Sequence, residues 1–247
     1  MKRIAILLLT ALLLSGASCL AEPLRVVGTQ GGEWYAPEGA DPETATYVYR
    51  CSYPLLDESD GVAVMINDHF AYMVADAEAF RVPIDGGMLA GLGKSSITVN
   101  GEVTCNSDQY FSVFVTTVSD QAGSRLITAS GHTFPRSGAK AGVAISLPRL
   151  LGILEDEESD EWLMDRQTAK ANRLVWRIVW NALQTGDYHL FDDLTEEEFQ
   201  QMFFPEYDFY LDENGDPVFF HHGYMFCQSE TELLYFPITL AYLKDEL

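Results

Sequence analysis

Basic residues are scarce in this chain of 247 residues: Lys and Arg number 15 against 37 Asp and Glu, so the formal net charge is −22. A chain this acidic repels phosphate backbones, which excludes nucleic acid as the expected partner. Anionic lipid surfaces are disfavoured for the same reason. A basic protein would be attracted and its encounter accelerated. Solubility alone is a simpler explanation of the acidic charge, and it remains an alternative to a basic protein partner.

Cysteine is also rare, with four residues in the whole chain. There is no CxxC pair and no Cys–His pair at ligand spacing, so the sequence predicts no metal site and no cofactor. Cys51, Cys105 and Cys227 remain once the leader described below is removed. An odd number leaves two arrangements open: three buried thiols, or one disulfide with one thiol left over.

Long apolar runs are absent except at the N terminus, where Ile4–Leu14 is too short to span a bilayer, which needs roughly 20 residues. The run follows basic Lys2 and Arg3 and precedes small residues, which is the order of a secretory signal. We predict a signal peptide over residues 1–21, cleaved after Ala21. Cys19 offers an alternative lipoprotein site, and only lipidation there would attach the protein to a membrane.

The predicted location is extracytoplasmic, either secreted or at the cell surface. The last four residues, Lys244–Leu247, match an endoplasmic-reticulum retrieval signal, which acts in eukaryotes on proteins that carry a signal peptide. Four common residue types also meet at a terminus by chance. A lumenal protein retained by this tail is therefore the alternative location.

Strand and helix patterns are segregated along the chain. β-branched and aromatic stretches predict strands over 44–53, 96–104, 110–119, 124–134, 207–211 and 218–220, and a last strand or strand with a turn over 231–240. Apolar spacing predicts helices over 61–78 and 162–183, and a capping box at Thr195 and Glu198 predicts a short helix that ends near Phe203. Residues 24–41 are rich in Gly and polar residues, with strand character only at 24–27. We therefore expect an α+β fold with a mainly antiparallel sheet, on which one long helix and several short helices pack.

Three motifs resemble ligand sites, but their spacing favours plain structure. Gly87–Ser95 looks like a phosphate loop, yet Met88 stands where the motif needs Gly, which indicates a flexible loop. Residues 212–216 alternate Asp, Asn and Asp as calcium loops do, but the sixth and twelfth positions are Pro217 and Gly223, which indicates a turn. His221 and His222 adjoin on a predicted strand and would point to opposite faces, so one metal ion cannot easily take both.

No catalytic constellation is evident in the sequence. Ser130-Gly131-His132 brings a serine close to a histidine, but there is no G-x-S-x-G elbow. His69 directly follows Asp68, and adjacent residues of a helix do not face each other. Carboxylates are too numerous for one acid–base pair to stand out. We predict a protein that is not an enzyme, and we name no catalytic, cofactor-binding or metal-binding residue.

Several segments together resemble a bacterial family of exported proteins with two successive modules, which also form the ectodomain of the RsiV-type anti-sigma factor that senses lysozyme. The resemblance implies an N-terminal α+β module over 22–95 and a C-terminal RsiV-like α+β module over 96–247. The segments that carry it are Tyr53-Pro54, Ile66-Asn67, Tyr110–Phe114, His132–Phe134, Phe209–Leu211, Asn214-Gly215, Phe219-Phe220, Tyr224 and Phe236–Ile238. The loop at 122–125 departs from the Gly-Gly-Ala-His stretch of many relatives.

The resemblance implies a non-enzymatic, exported binding or sensing module. Its partner would be a basic protein, such as a lysozyme, or a component of the cell wall. Two alternatives remain: a secreted cell-wall hydrolase that uses unidentified carboxylates, and the lumenal protein described above.

Overall fold

The computed structural model describes residues 22–81, 84, 87, 93–121, 123–155, 160–228 and 233–247. The predicted signal peptide lies outside these residues, as does most of the Gly87–Ser95 loop. Within the described ranges, no helix is both long and apolar enough to cross a membrane.

A five-stranded sheet forms the first half of the structure. Its strands follow one another in chain order: β1 (Val26–Ala36), β2 (Tyr47–Leu56), β3 (Ser95–Asn106), β4 (Tyr110–Gln121) and β5 (Ser124–Pro135). The neighbours are antiparallel except β2 and β3, which run parallel. A parallel pair needs a crossover connection. Helix α1 (Gly61–Ala79) lies in that connection.

Helix α1 is fixed to the sheet by polar and apolar contacts. The Asp60 carboxylate accepts the Val62 N–H at 2.8 Å and caps the first turn. The buried Asn67 amide accepts the Leu56 N–H and donates to the Leu56 carbonyl, both at 2.9 Å, and so ties the helix to the end of β2. Ile66 and Phe70 are buried in the core between helix and sheet.

The second half combines four helices with a three-stranded antiparallel sheet. The helices are α2 (Leu147–Leu150), α3 (Glu161–Thr185), α4 (Glu196–Met202) and α5 (Leu240–Asp245), and the strands, in sheet order, are β6 (Phe209–Leu211), β7 (Pro217–His222) and β8 (Leu233–Pro237). The α3 helix buries Leu174, Val175 and Val179 in a second core. The capping box at Thr195 and Glu198 is confirmed at the start of α4.

The small sheet packs on the side of β4 and β5 that faces away from α1. The Leu211 N–H donates to the buried Ser112 hydroxyl at 3.0 Å. The Phe114 ring lies 4.6 Å from the Tyr210 ring, centroid to centroid. A Cβ atom on Gly131 would lie 1.7 Å from the Phe209 carbonyl oxygen, so only glycine allows this approach of the two backbones.

The predicted fold class is confirmed, with 32% of the chain helical, 35% in strands and the five-stranded sheet mostly antiparallel. One local prediction is wrong. The glycine-rich stretch after Val27 belongs to β1, where Gly31 has φ 144° and a Cβ there would lie 2.1 Å from the Cys51 carbonyl oxygen. Glycine at this position permits close strand pairing. The segment predicted as a last strand, or a strand with a turn, contains β8, which ends at Pro237 before Thr239 caps helix α5.

The division into modules at residues 95 and 96 stays a prediction. Strand β3 begins at Ser95 and pairs with β2, so the five-stranded sheet contains residues from both predicted modules. Of the two arrangements open for the cysteines, the structure has the one without a disulfide among the described residues: Cys51, Cys105 and Cys227 are buried thiols.

Candidate functional site

A cleft of about 550 Å³ lies between the C-terminal half of α1 and one end of the five-stranded sheet. The strand register places Tyr47, Ser95 and Gln121 in one row across this end of the sheet. Side chains two residues along a strand share a face. Trp34, Tyr49, Ile97 and Ser119 therefore form the next row of the same wall. We call this cavity the aromatic cleft.

Aromatic rings make up much of the cleft wall. The Trp34 and Tyr49 rings are stacked with 5.4 Å between centroids, and Tyr47 lies 5.3 Å from Trp34. Tyr72 and Phe80 of the α1 side are exposed at the rim, at 73% and 56%. A concave, mainly apolar surface with few polar groups is the usual form of a small-molecule site.

Two polar atoms of the cleft residues are buried and have no hydrogen-bond partner: Trp34 Nε1 and Ser95 Oγ. An indole N–H is a donor only, so it needs an oxygen or nitrogen acceptor. Leaving such a donor unsatisfied costs about 1–3 kcal/mol. The Arg81 guanidinium lies 6.0 Å from the centre of the Trp34 ring, which places a positive charge at this end of the cleft.

Tyr47, Tyr49 and Tyr53 are neutral phenols at ordinary pH because their pKa values are raised. Burial raises the pKa of Tyr53 to about 12, with a smaller contribution from Cys51. Burial also raises the pKa of Tyr47 and, more strongly, that of Tyr49. These groups can donate or accept a hydrogen bond but do not carry charge, so they suit recognition of a neutral or weakly polar surface.

A second feature lies at the other end of the cleft, where Ser130 of β5 contributes to the wall. Ser130 Oγ lies 3.0 Å from His132 Nε2, and His132 Nδ1 lies 3.1 Å from His69 Nε2 on α1. Both histidine rings also pack edge-on against aromatic neighbours, His69 against Phe134 and His132 against Phe70. We call these three residues the serine–histidine chain.

The two histidines of the chain are held in the neutral form. Burial, with a contribution from His69, lowers the pKa of His132 to about 4. Burial also lowers the pKa of His69. A neutral imidazole has one donor nitrogen and one acceptor nitrogen, which is what a continuous line of hydrogen bonds through His132 requires.

Ser130 and His132 also border a second cavity, of about 410 Å³. Its wall includes Arg149 and Asp208. Burial raises the pKa of Asp208 to about 6, although its carboxylate accepts the Phe204 N–H at 3.0 Å. The serine hydroxyl thus stands between an apolar cleft and a cavity with charged side chains.

The other motifs of the sequence have structural roles. Asp212 Oδ1 accepts the N–H groups of Asn214 and Asp216, each at 2.9 Å, which confirms the predicted turn. His221 Nε2 lies 2.8 Å from the Met202 carbonyl oxygen, and His221 is buried. Among the described residues, no group of three or more His, Cys, Asp or Glu could hold a metal ion.

Sequence reasoning missed the aromatic cleft, and it named Ser130 and His132 as neighbours but set them aside and did not connect them with His69. The alternation of Tyr47, Tyr49 and Tyr53 along β2 was a usable signal, because it puts three tyrosines on one face of a strand. His69 carried no such signal, since it lies 63 positions before His132 and meets it only after α1 folds onto the sheet.

Two solved structures of bacterial proteins are similar to this architecture. A structure of a DUF3298 family protein from Pseudomonas aeruginosa is 13% identical, covers 91% of this chain and 94% of its own, and superposes with a TM-score of 0.50. A DUF3298 family member from Bacteroides fragilis is 10% identical, covers 90% and 92%, and gives a TM-score of 0.52. This chain has the fold of these bacterial domains of unknown function. Comparisons with protein families and with curated proteins found no match.

Proposed function

We propose that this chain is an exported, RsiV-like binding module that holds a small amphipathic ligand in the aromatic cleft. The observation that carries the proposal is the cleft itself, about 550 Å³ in volume and walled by Trp34, Tyr47 and Tyr49. The likeness to bacterial DUF3298 proteins supports a bacterial origin for the fold. The predicted signal peptide motivates the extracytoplasmic location.

The ligand's chemistry follows from the wall. An apolar body would cover the aromatic rings, and an oxygen acceptor would satisfy the Trp34 N–H, which has no partner in the protein. The tyrosines are neutral, and Asp76, the carboxylate on the α1 side, is exposed to solvent. A wall of neutral side chains therefore favours ligand binding over proton transfer in the cleft.

The test uses the mature protein and a matched pair of probes, naphthol and naphthalene, which share an apolar ring system but differ in one oxygen. Binding is measured by displacement of an anilinonaphthalene sulfonate dye. Ala77→Phe, which fills the cleft from α1, should abolish binding of both probes. Trp34→Phe keeps a ring but removes the donor, so it should weaken naphthol about tenfold and naphthalene little.

Trp162→Phe is the matched control, because Trp162 is 67% exposed on α3 and does not line the cleft. It should leave both affinities unchanged. If Ala77→Phe binds the probes as well as the parent protein does, the cleft is not the site and the proposal fails.

A second candidate ligand is a basic protein, and the formal charge of −22 favours it. Capture of lysozyme by the mature protein should then be saturable and should weaken between low salt and physiological salt, because exposed charges are screened. Isolated peptidoglycan, run in parallel, separates a protein partner from a wall component. Absence of lysozyme capture at low salt would remove the basic-protein candidate and leave the cleft proposal untouched.

A further inference from the structure

We propose that Ser130 is a nucleophile activated by His132, with His69 as the positioning residue, and that it accepts acyl groups from esters whose apolar part enters the aromatic cleft. The inference goes beyond the proposed function and would replace the sequence-based prediction that the protein is not an enzyme. It rests on three side chains in one line of hydrogen bonds, with distances of 3.0 Å and 3.1 Å. A serine, a base and a group that orients the base form the general arrangement of nucleophilic catalysis.

The direction of the hydrogen bonds decides whether the serine is activated. If Ser130 donates to His132 Nε2, then His132 Nδ1 carries the proton and donates to His69 Nε2. His69 then carries its own proton on Nδ1. In the reverse direction His132 Nε2 donates to Ser130 Oγ, and the hydroxyl proton of Ser130 points out of the chain. The proposal takes the first direction, in which His132 Nε2 can accept the serine proton.

The position of Ser130 gives the reacting oxygen access from two sides. The aromatic cleft offers an apolar surface for the acyl or alkyl chain, and the second cavity, which Ser130 also borders, offers a wall that contains Ser146 and Asp208. The substrate class that fits both sides is an ester with a hydrophobic chain and a small polar leaving group.

The step balances within these groups and one water molecule. Ser130 Oγ forms a bond to the ester carbonyl carbon while its proton passes to His132 Nε2. The bond from carbon to the leaving oxygen then breaks, and His132 returns the proton to the departing alcohol. Water, deprotonated by the same nitrogen, hydrolyses the acyl-serine and restores the hydroxyl.

The histidine environment limits the rate. A general base works best when its pKa lies near the operating pH. Burial and His69 lower the pKa of His132 to about 4, so His132 is available as a base at neutral pH but is a weak one. We therefore expect slow acylation that is seen first as a single covalent turnover.

The experiment treats the mature protein with an alkyl fluorophosphonate, which transfers its phosphonyl group to activated serines with loss of fluoride, and locates the adduct by peptide mass spectrometry. We expect one adduct, on Ser130, and its loss in Ser130→Ala. Ser124→Ala is the matched control, because Ser124 is an exposed serine of the same strand and has no histidine beside it. Nitrophenyl butyrate then tests for release of nitrophenol by the same variants.

Variants of the two histidines separate activation from folding. His132→Gln should reduce the labelling rate at least tenfold while circular dichroism stays unchanged. His69→Phe keeps a ring against His132 but removes the acceptor for His132 Nδ1, so it should slow labelling at neutral pH. His69→Asn, whose amide oxygen can accept a hydrogen bond, should recover part of the rate. A purely structural role for His69 would not give this rescue by the polar variant.

Equal labelling of Ser130 and Ser124, no labelling at all, or labelling of Ser130 that His132→Gln does not slow would each overturn the inference. Failure of naphthol binding in the cleft with retained labelling of Ser130 would refute the proposed function alone. Binding without labelling would refute the nucleophile alone.

Discussion

The face of the five-stranded sheet that meets α1 has two ends built from different side chains. At one end Ile66, Phe70, Phe111 and Phe134 fill the space completely, and none of them has exposed surface. At the other end Trp34, Tyr47 and Tyr49 line the aromatic cleft. Purely apolar rings close a core, whereas rings with polar tips need partners for their hydroxyl and N–H groups. The same helix and sheet thus form a packed core and a binding cleft.

The largest contrast between the two ends should be in stability. Phe134→Ala at the filled end should lower the free energy of unfolding by about 3–5 kcal/mol, because it leaves a cavity in a close-packed core. Phe80→Ala at the cleft rim should cost well under 1 kcal/mol, because that ring is already half exposed. Urea unfolding of both variants measures the difference. Equal losses would show that the cleft end is packed as tightly as the core.

Acid should act through the buried histidines and, with the opposite sign, through Asp208, whose pKa is raised to about 6 so that the folded chain holds a proton there that the unfolded chain does not. The pKa of His132 is about 4 in the folded protein against an ordinary 6.5, so below pH 6.5 the unfolded chain binds protons that the folded chain does not. The contribution of His132 to stability should therefore be constant above about pH 6.5 and fall between pH 6.5 and 4. The His132 contribution has a limit of about 3 kcal/mol at lower pH.

Unfolding curves across this pH range measure the effect. His132→Gln should make the slope shallower, although His221, whose pKa burial also lowers to about 4, keeps part of it. His189→Gln is the control, since His189 is exposed. An unchanged slope in His132→Gln would contradict the burial of a neutral imidazole at this position.

The contact between the five-stranded and three-stranded sheets can be tested by substituting a glycine at it. Gly131→Ala should destabilise the protein by about 1–3 kcal/mol, because the added carbon meets the Phe209 carbonyl oxygen and forces β5 and β6 apart. Gly28→Ala in β1 is the control, because a Cβ there has no atom within 4 Å. Thermal unfolding measures both. A tolerated Gly131→Ala would mean that the contact between the two sheets yields without loss.

The smallest expected change in stability is at Ala77, on the cleft side of α1. Ala77→Leu adds apolar volume to open space and keeps a good helix former, so stability should change by no more than about 0.5 kcal/mol. Dye binding in the cleft should nevertheless weaken strongly. A large loss of stability would mean that the space beside Ala77 is closed in solution.

Much of the fold could be predicted because its signals are local. Strands β4 and β5 begin at the predicted residues Tyr110 and Ser124, and the capping box of α4 sits at Thr195 and Glu198. Strand β1 was missed beyond Val27, because glycine and polar residues read as a loop until pairing with β2 supplies the hydrogen bonds.

The sequence by itself determined the acidic charge, the strand and helix segments and the segregated α+β order, because periodicity, caps and turn residues act over a few positions. Only the tertiary structure decided where the aromatic cleft opens and which serine meets which histidine. Trp34, Ser95 and Gln121 reach one end of the sheet through strand register, and His69 reaches His132 through the docking of α1. These contacts join residues that are far apart in the sequence. Local sequence patterns act over a few positions only, so the packing of strands and helix determines which of these residues meet.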